Sequence, residues 1–491
     1  MNSKNAYKLS IKLVCLSLAA VLVLSAAACS ADKTDGDIQT ESVSSSESSS
    51  AAESETLPRT ELPQKDFGGD TFRVFMNWSS DYFTNGFDAD KITGEPVNDT
   101  IYNRDSTLEK QYNVDIVGEK NSDLTVLSKA IMAGDDSYSA CYALFGMATL
   151  ITNDLLLDFG QVPNADLSKP WWDSYINDVY SIAGKQFIVS SDMDVTTIYH
   201  ARVLFFNKQL LGDLQLDDPY ALVNGGTWTL DKFTAMCKAA SKDLNGDGEM
   251  NFDDQWGYAV QTGITINMYY ALGQDFIAKD DKGIPYLSVG DEKSVTALQK
   301  LASIFADKSS VMFDSDYAKI NPKTHEVIQQ VFSENRALFL AEIVQLAERM
   351  RAAEIDFGIL PQPKYDENQD RYYCFVECGA LGVPVSNDKL EMTGILMEEI
   401  AYYNYAYLRP EIYETCLKSK YTRDEESKAM LDIIFANRMI SLENVFRWGI
   451  QDAMQTQMNS GKEDFASAIE RVRKSVEDKM QQTINVYTGV N

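Results

Sequence analysis

The chain has 491 residues, with 44 Lys or Arg against 73 Asp or Glu and a formal charge of −29. Such acidity argues against nucleic acid as a partner and against peripheral docking on anionic lipid, since both need basic surface. Two histidines leave little for His-based zinc sites or Ser-His-Asp catalysis. With 45% hydrophobic and 11% aromatic residues the chain can bury a sizeable core, and at ~150 residues per domain its length suggests about three units.

Lys4, Lys8 and Lys12 precede an apolar run from Leu13 to Ala28 that ends Ala26-Ala27-Ala28-Cys29. A basic start, a short apolar stretch and small residues at the end describe a secretory signal over residues 1–28. The run falls short of the ~20 residues that a spanning helix needs. Small residues before a cysteine also resemble a bacterial lipobox, which would make Cys29 a lipidated, palmitate-bearing N-terminus. Ala26 stands where that pattern prefers Leu, and ordinary cleavage after Ala28 is the alternative. Removal of the signal takes away three lysines and no acid, so −29 becomes −32. Residues 29–64 are rich in Ser and Glu and nearly free of large apolar side chains. They cannot offset the entropy of ordering and read as a flexible linker; ~35 residues of coil span roughly 30 Å.

The folded part is expected to open with a strand over Thr71–Met76 and a helix over 98–111. A strand over 114–117, a helix over 124–132 and a strand over 139–145 follow. Strands alternating with helices predict an α/β fold with a largely parallel sheet. Residues 185–189 and 203–207 read as two further strands. Thr229 is an expected N-cap, with Trp228 and Phe233 forming a hydrophobic staple. Phe465, Ile469, Val472, Val476 and Met480 recur at helical spacing and predict a long amphipathic helix.

Asp243-Leu244-Asn245-Gly246-Asp247-Gly248-Glu249-Met250-Asn251-Phe252-Asp253-Asp254 fits a twelve-residue calcium loop. Asp243, Asn245 and Asp247 supply oxygens at loop positions 1, 3 and 5, Glu249 offers its carbonyl at 7, and Asp254 closes the set at 12. Asp in place of Glu at 12 is closer to dockerin-type loops than to the EF-hand consensus. The ion would be structural Ca²⁺, and a solvated acidic turn is the alternative. Cys141, Cys237, Cys374, Cys378 and Cys416 read as buried free thiols, because no dense spacing suggests a disulfide scaffold. No Walker A loop, GxGxxG, HExxH, CxxC or GxSxG is present.

Several stretches resemble the family 1, maltose-binding-protein-like extracellular solute-binding proteins of ABC importers. They are Phe206-Asn207-Lys208-Gln209-Leu210-Leu211, Asp218-Pro219-Tyr220, Thr227 to Phe233, Asp254-Gln255-Trp256-Gly257-Tyr258, Asp356 to Tyr365, and Tyr421 to Glu426, in colinear order over 65–491. The resemblance implies a two-lobed class II periplasmic-binding-protein-like α/β fold with interleaved lobes and a hinge. Lobe 1 would hold 65–195 plus 372–408 and lobe 2 196–365 plus 409–491, with 366–371 as a hinge crossing. It further implies a lipid-anchored, non-enzymatic monomer on the outer face of the membrane. This receptor would pass a carbohydrate to ABC permease subunits. An exported glycoside hydrolase and a surface adhesin are the alternatives. A sugar offers apolar faces and a polar rim, so aromatic and hydrogen-bonding side chains are the candidates. They are Trp78 with Asn77 and Asp81, Asp192 and Asp194 at the first crossing, Glu342 and Gln345 after the strand Ala337–Leu340, and Trp448. The stacking aromatic expected near Glu342 is Val344, which departs from a maltodextrin site.

Overall fold

The computed structural model describes residues 59–77 and 87–490. Strands are numbered in chain order among these. β1 (Asp70–Asn77), β2 (Val114–Lys120) and β3 (Ala140–Ala143) join β12 (Ala380–Gly382) in one sheet of order β12-β3-β1-β2. β1 runs parallel to β2 and β3, and β12 is antiparallel to β3. The second sheet, of order β10-β4-β9-β5-β8, contains β4 (Arg202–Asn207), β5 (Trp256–Val260), β8 (Val311–Phe313), β9 (Ala337–Ile343) and β10 (Phe357–Leu360). Here β5 is parallel to β8 and β9, while β4 is antiparallel to β9 and β10, so this sheet is mixed rather than largely parallel. A hairpin of β6 (Ile277–Lys279) and β7 (Pro285–Leu287) and a short pair of β11 (Cys374–Phe375) with β13 (Arg438–Met439) complete the strands.

Local sequence explains many boundaries. Pro96 opens the helix Pro96–Tyr112, where its missing N–H costs no bond, and Asn113 ends it with φ 48°. Thr229 caps Leu230–Ala240 by accepting from Lys232 N, and the Trp228 and Phe233 rings meet edge-on at 6.0 Å, forming the expected staple. The last helix, Phe465–Thr488, buries Phe465, Ile469, Val476 and Met480 along one face and stops at Gly489. Residues 185–189 do not form a strand. Lys185 and Val189 make only isolated bridges, to Ile182 and Leu381, because this stretch leaves the first sheet and crosses to the second.

The chain passes between the sheets three times. Val189 bridges Leu381 and Ala201 bridges Val376, both antiparallel, so the first two crossings run side by side. The third is helical. Leu390–Tyr403 continues through wide i→i+5 turns at Asn404–Leu408 and Glu411–Tyr421, on either side of Pro410. The indole N–H groups of Trp171 and Trp172 both donate to Glu398 on this helix, at 3.0 and 2.7 Å, which places both rings in the core. The expected linker extends to residue 64, but the body already holds Arg59 through Glu399 and Thr60 through Glu398. All five cysteines of the body are free and buried. Among the described residues no helix is long and apolar enough to cross a membrane.

Candidate functional site

The carboxyl ends of the parallel strands converge between the two sheets. Ala380, entering β12, pairs with Ala143 at the end of β3, and Arg202, entering β4, pairs with Ile343 at the end of β9. Three residues before β12, Glu377 reaches Arg202 in an ion pair. The crevice outside the carboxyl ends of strands is where open α/β sheets hold ligands.

Arg202 forms the floor. Its guanidinium meets Glu342 Oε1 at 3.3 Å through Nη1 and Glu377 Oε2 through Nη2. Gln261, just past β5, donates to Glu342 Oε2 at 2.5 Å, and Gln329 adds a bond at 3.4 Å. The two carboxylates respond in opposite directions. Burial raises Glu342 above the usual range, with Arg202 only partly opposing it. For Glu377 burial is again the largest influence, yet Arg202, with help from His200, outweighs it and holds the acid low. The closer guanidinium contact on Glu377 accounts for the difference. His200 is pushed down to about 4, mainly by burial and further by Arg202.

Arg447, which also helps to hold Glu377 low, meets Phe145 of the other half. Phe145, two residues past β3, is 38% exposed, and the Arg447 guanidinium lies 4.5 Å from its ring centroid. Arg447 has φ 50°, a left-handed conformation uncommon for a residue with a side chain. A planar cation over an exposed ring, within electrostatic reach of a carboxylate, can grip a polar molecule that also has an apolar face.

Of the residues expected from sequence, Asn77 ends β1 at this edge and donates to Asn121 O at 3.1 Å. Trp78 and Asp81 lie outside the described residues, as does Cys29. Glu342 belongs to the floor. Gln345 is buried after β9, its N–H bonded to Tyr199 O and its Oε1 without a partner. Asp192 and Asp194 lie elsewhere: Asp192 faces Arg409 of the third crossing at 3.4 Å, and Asp194 accepts from Thr196 N at 2.8 Å. Burial raises both to about 6. Trp448 is core rather than wall, with its ring stacked on Phe446 at 5.0 Å and Nε1–H donating to Thr483. The neighbouring Arg447 is the residue that reaches across. Arg202, Glu377, Phe145, Gln261 and Arg447 escaped the sequence reading. The one local signal for them was an unmatched charge, Arg202 at the head of the apolar run VLFF.

The calcium-like loop lies away from this floor, between Leu230–Ala240 and β5. Asp243 accepts from the N–H groups of Gly246 and Gly248, Asn245 from Asp247, and Asp247 from Glu249. Gly248 has φ 84°, which the turn requires and a side chain would resist. Buried Asp254 accepts from Leu244 N and Asn251 N and ties the loop ends together. The donors are hard oxygens of the kind calcium takes. Among the described residues, however, no three His, Cys, Asp or Glu side chains stand together in a metal-holding group. Trp256 packs beside the loop, its Nε1–H donating to Asn251 O at 3.1 Å.

No protein-family model matches the sequence, and no curated protein matches it. Solved structures do match in fold. A sugar transporter protein from Rhizobium etli in an open conformation aligns with TM-score 0.55 at 12% identity, over 86% of this chain and 100% of the other. The maltose/maltodextrin-binding domain MalE of Bdellovibrio bacteriovorus, bound to maltotriose, gives 0.53 at 13% identity over 84% and 100%. An ABC substrate-binding protein of Listeria monocytogenes in complex with cycloalternan gives 0.51 at 13% over 86% and 100%. The mixed α/β architecture built on two sheets and three crossings is therefore the two-lobed fold of ABC-transporter substrate-binding proteins.

Proposed function

We propose that the protein is an extracellular solute-binding lipoprotein that captures a carbohydrate between its lobes and hands it to an ABC importer without chemical change. The observation that carries this reading is the floor of Arg202, Glu342 and Glu377, set where the carboxyl ends of both sheets converge. The fold neighbours bound to maltotriose and cycloalternan add weight to a sugar, a polar ligand with apolar faces, as the class of cargo.

In this reading Phe145 and Arg447 grip the sugar. Asn77, Trp78 and Asp81 contribute from the first lobe, and Gln261, Glu342 and Gln345 from the second. The lobes are those expected from sequence, 65–195 plus 372–408 and 196–365 plus 409–491, with the second boundary moved from 372 to the crossing at 376–381, because Cys374–Phe375 pairs with Arg438–Met439 of the second lobe. Cys29 carries the lipid, and the linker holds the receptor clear of the membrane. Asp243, Asn245, Asp247, the Glu249 carbonyl and Asp254 would hold a structural calcium ion, which would stiffen the loop and take no part in sugar capture.

Titration of the purified chain against an oligosaccharide panel, followed by calorimetry and product analysis, tests the reading. Saturable binding with the glycan recovered intact is expected. Release of shortened products would instead identify a glycoside hydrolase, and failure of every glycan to bind would favour an adhesin.

A further inference from the structure

A second cavity, of about 580 Å³, lies against the third crossing. Its walls come from three separate segments: Ile198 of the first crossing, Tyr405, Arg409 and Tyr413 of the crossing helix, and Phe435 and Arg438 beyond it. None of Asn77, Phe145, Gln261, Glu342 or Arg447 lines it, so it is distinct from the site between the sheet edges. The volume falls within the ~300–1,000 Å³ of small-molecule pockets. The helical wall is also unusual. Tyr405, Arg409 and Tyr413 recur every four residues and so share this wall, and the helix that carries them includes the wide i→i+5 turns Asn404–Leu408 and Glu411–Tyr421, which are frequent at functional sites.

The charges are unevenly committed. Glu414 and Asp432 on the rim are held from outside by Lys418, at 3.5 and 2.7 Å, and Asp432 also accepts from Tyr413 OH at 2.7 Å. Arg438 pairs with Asp173 at 2.8 Å through Nη1. Arg409 touches Asp192 only at 3.4 Å and its side chain is 41% exposed. Each guanidinium has five N–H donors, so both can take a further acceptor, and carboxylates suit that fork. The rings and Ile198 supply an apolar body of wall next to these donors.

We propose that this hinge cavity is a second small-molecule site, which takes a compact carboxylate with a ring as its apolar part. The carboxylate would sit on Arg409 and Arg438 and the ring among Tyr405, Tyr413 and Phe435. Because Ile198 is two residues from His200, and Arg202 follows it, occupancy would bear on the same crossing that carries the floor of the sugar site.

Saturation-transfer NMR and calorimetry with phenylacetate, and with neutral phenylacetamide as control, test this on the whole chain. Phenylacetate is expected to bind and the amide to bind about tenfold or more weakly. Arg409→Gln should weaken phenylacetate by about tenfold, and Ala436→Trp, which fills the cavity from an exposed helix position, should abolish binding. Circular dichroism verifies that each variant is folded, and Ala406→Leu fills the same space should Ala436→Trp fail to fold. No saturation transfer to phenylacetate, equal binding of the amide, or undiminished binding by a folded cavity-filling variant would each overturn the proposal.

Discussion

Arg202 at the start of β4 forms an ion pair with Glu377 in the second crossing, so one guanidinium ties the edge of the second sheet to the strand that returns to the first. The same group holds Glu342 at 3.3 Å, with side-chain exposures of 8% and 3% for the pair. Arg202→Met would leave buried Glu342 and partly buried Glu377 without their cation. The expected cost is about 3–5 kcal/mol, as for breaking one side of a buried ion pair. Urea denaturation measures it, and a loss well below that range would mean that water reaches the cluster.

Glu443 gives the protein a pH dependence with a definite sign. It is buried, one oxygen accepting from Gly449 N and Gln451 N and the other without a partner, and burial pushes its pKa up to about 7. Its folded value lies above its unfolded one, so the folded state holds the proton longer. Stability therefore falls as pH rises from about 4.5 to about 7, by roughly 3–4 kcal/mol at most at ~1.4 kcal/mol per pKa unit. His200, lowered to about 4, works in the opposite sense and withdraws stability as pH falls below about 6.5. The difference between wild type and Glu443→Gln in urea at pH 5 and pH 7.5 isolates the glutamate. The variant should gain on wild type at the higher pH, and a constant difference would refute the assignment.

Trp448 and Arg447 are adjacent and should behave oppositely. Trp448→Ala removes a buried ring and should cost about 3–5 kcal/mol in unfolding free energy. Arg447→Ala should leave the melting temperature nearly unchanged and weaken glycan binding by about tenfold. Calorimetry and thermal melts on both variants separate a packing role from a gripping role.

Gly394 allows the helix Leu390–Tyr403 to approach the loop before Trp171. A Cβ there would stand 1.7 Å from Pro163 O, a backbone atom that cannot swing aside. Gly394→Ala should destabilise by about 1–3 kcal/mol or more, the range for overpacking. A thermal melt indistinguishable from wild type would show that the helix can move away freely.

For the 243–254 loop the measurement is the melting temperature after chelation and after calcium is restored. Calcium at a hundredfold over its dissociation constant should add about 2.7 kcal/mol, and Asp247→Ala should remove that response. Identical melts with and without calcium would leave a loop closed only by its own hydrogen bonds.

The sequence revealed most where the interaction is local. The Thr229 cap, the Trp228–Phe233 staple and the apolar face of the last helix all join residues within a few positions, and all are present. The strand expected over 185–189 failed because its hydrophobic pattern suits an extended crossing as well as a ladder, and only partner strands distinguish the two. Trp448 resembled a cleft aromatic because a tryptophan beside an arginine reads alike whether the ring is buried or presented.

Composition and order determined the acidity, the shortage of histidine, the export-like start and the alternation that makes an α/β chain. They also carried the colinear stretches that pointed to this fold. Tertiary structure alone decided the site. Arg202 is separated by 140 residues from Glu342 and by 175 from Glu377, and no periodicity links positions so distant. Their meeting depends on which strands close into which sheet, and on a buried cation drawing in whichever carboxylates that topology brings within reach. The −29 is a property of the composition alone, whereas the pairing of Arg202 with Glu342 and Glu377 is a property of the fold.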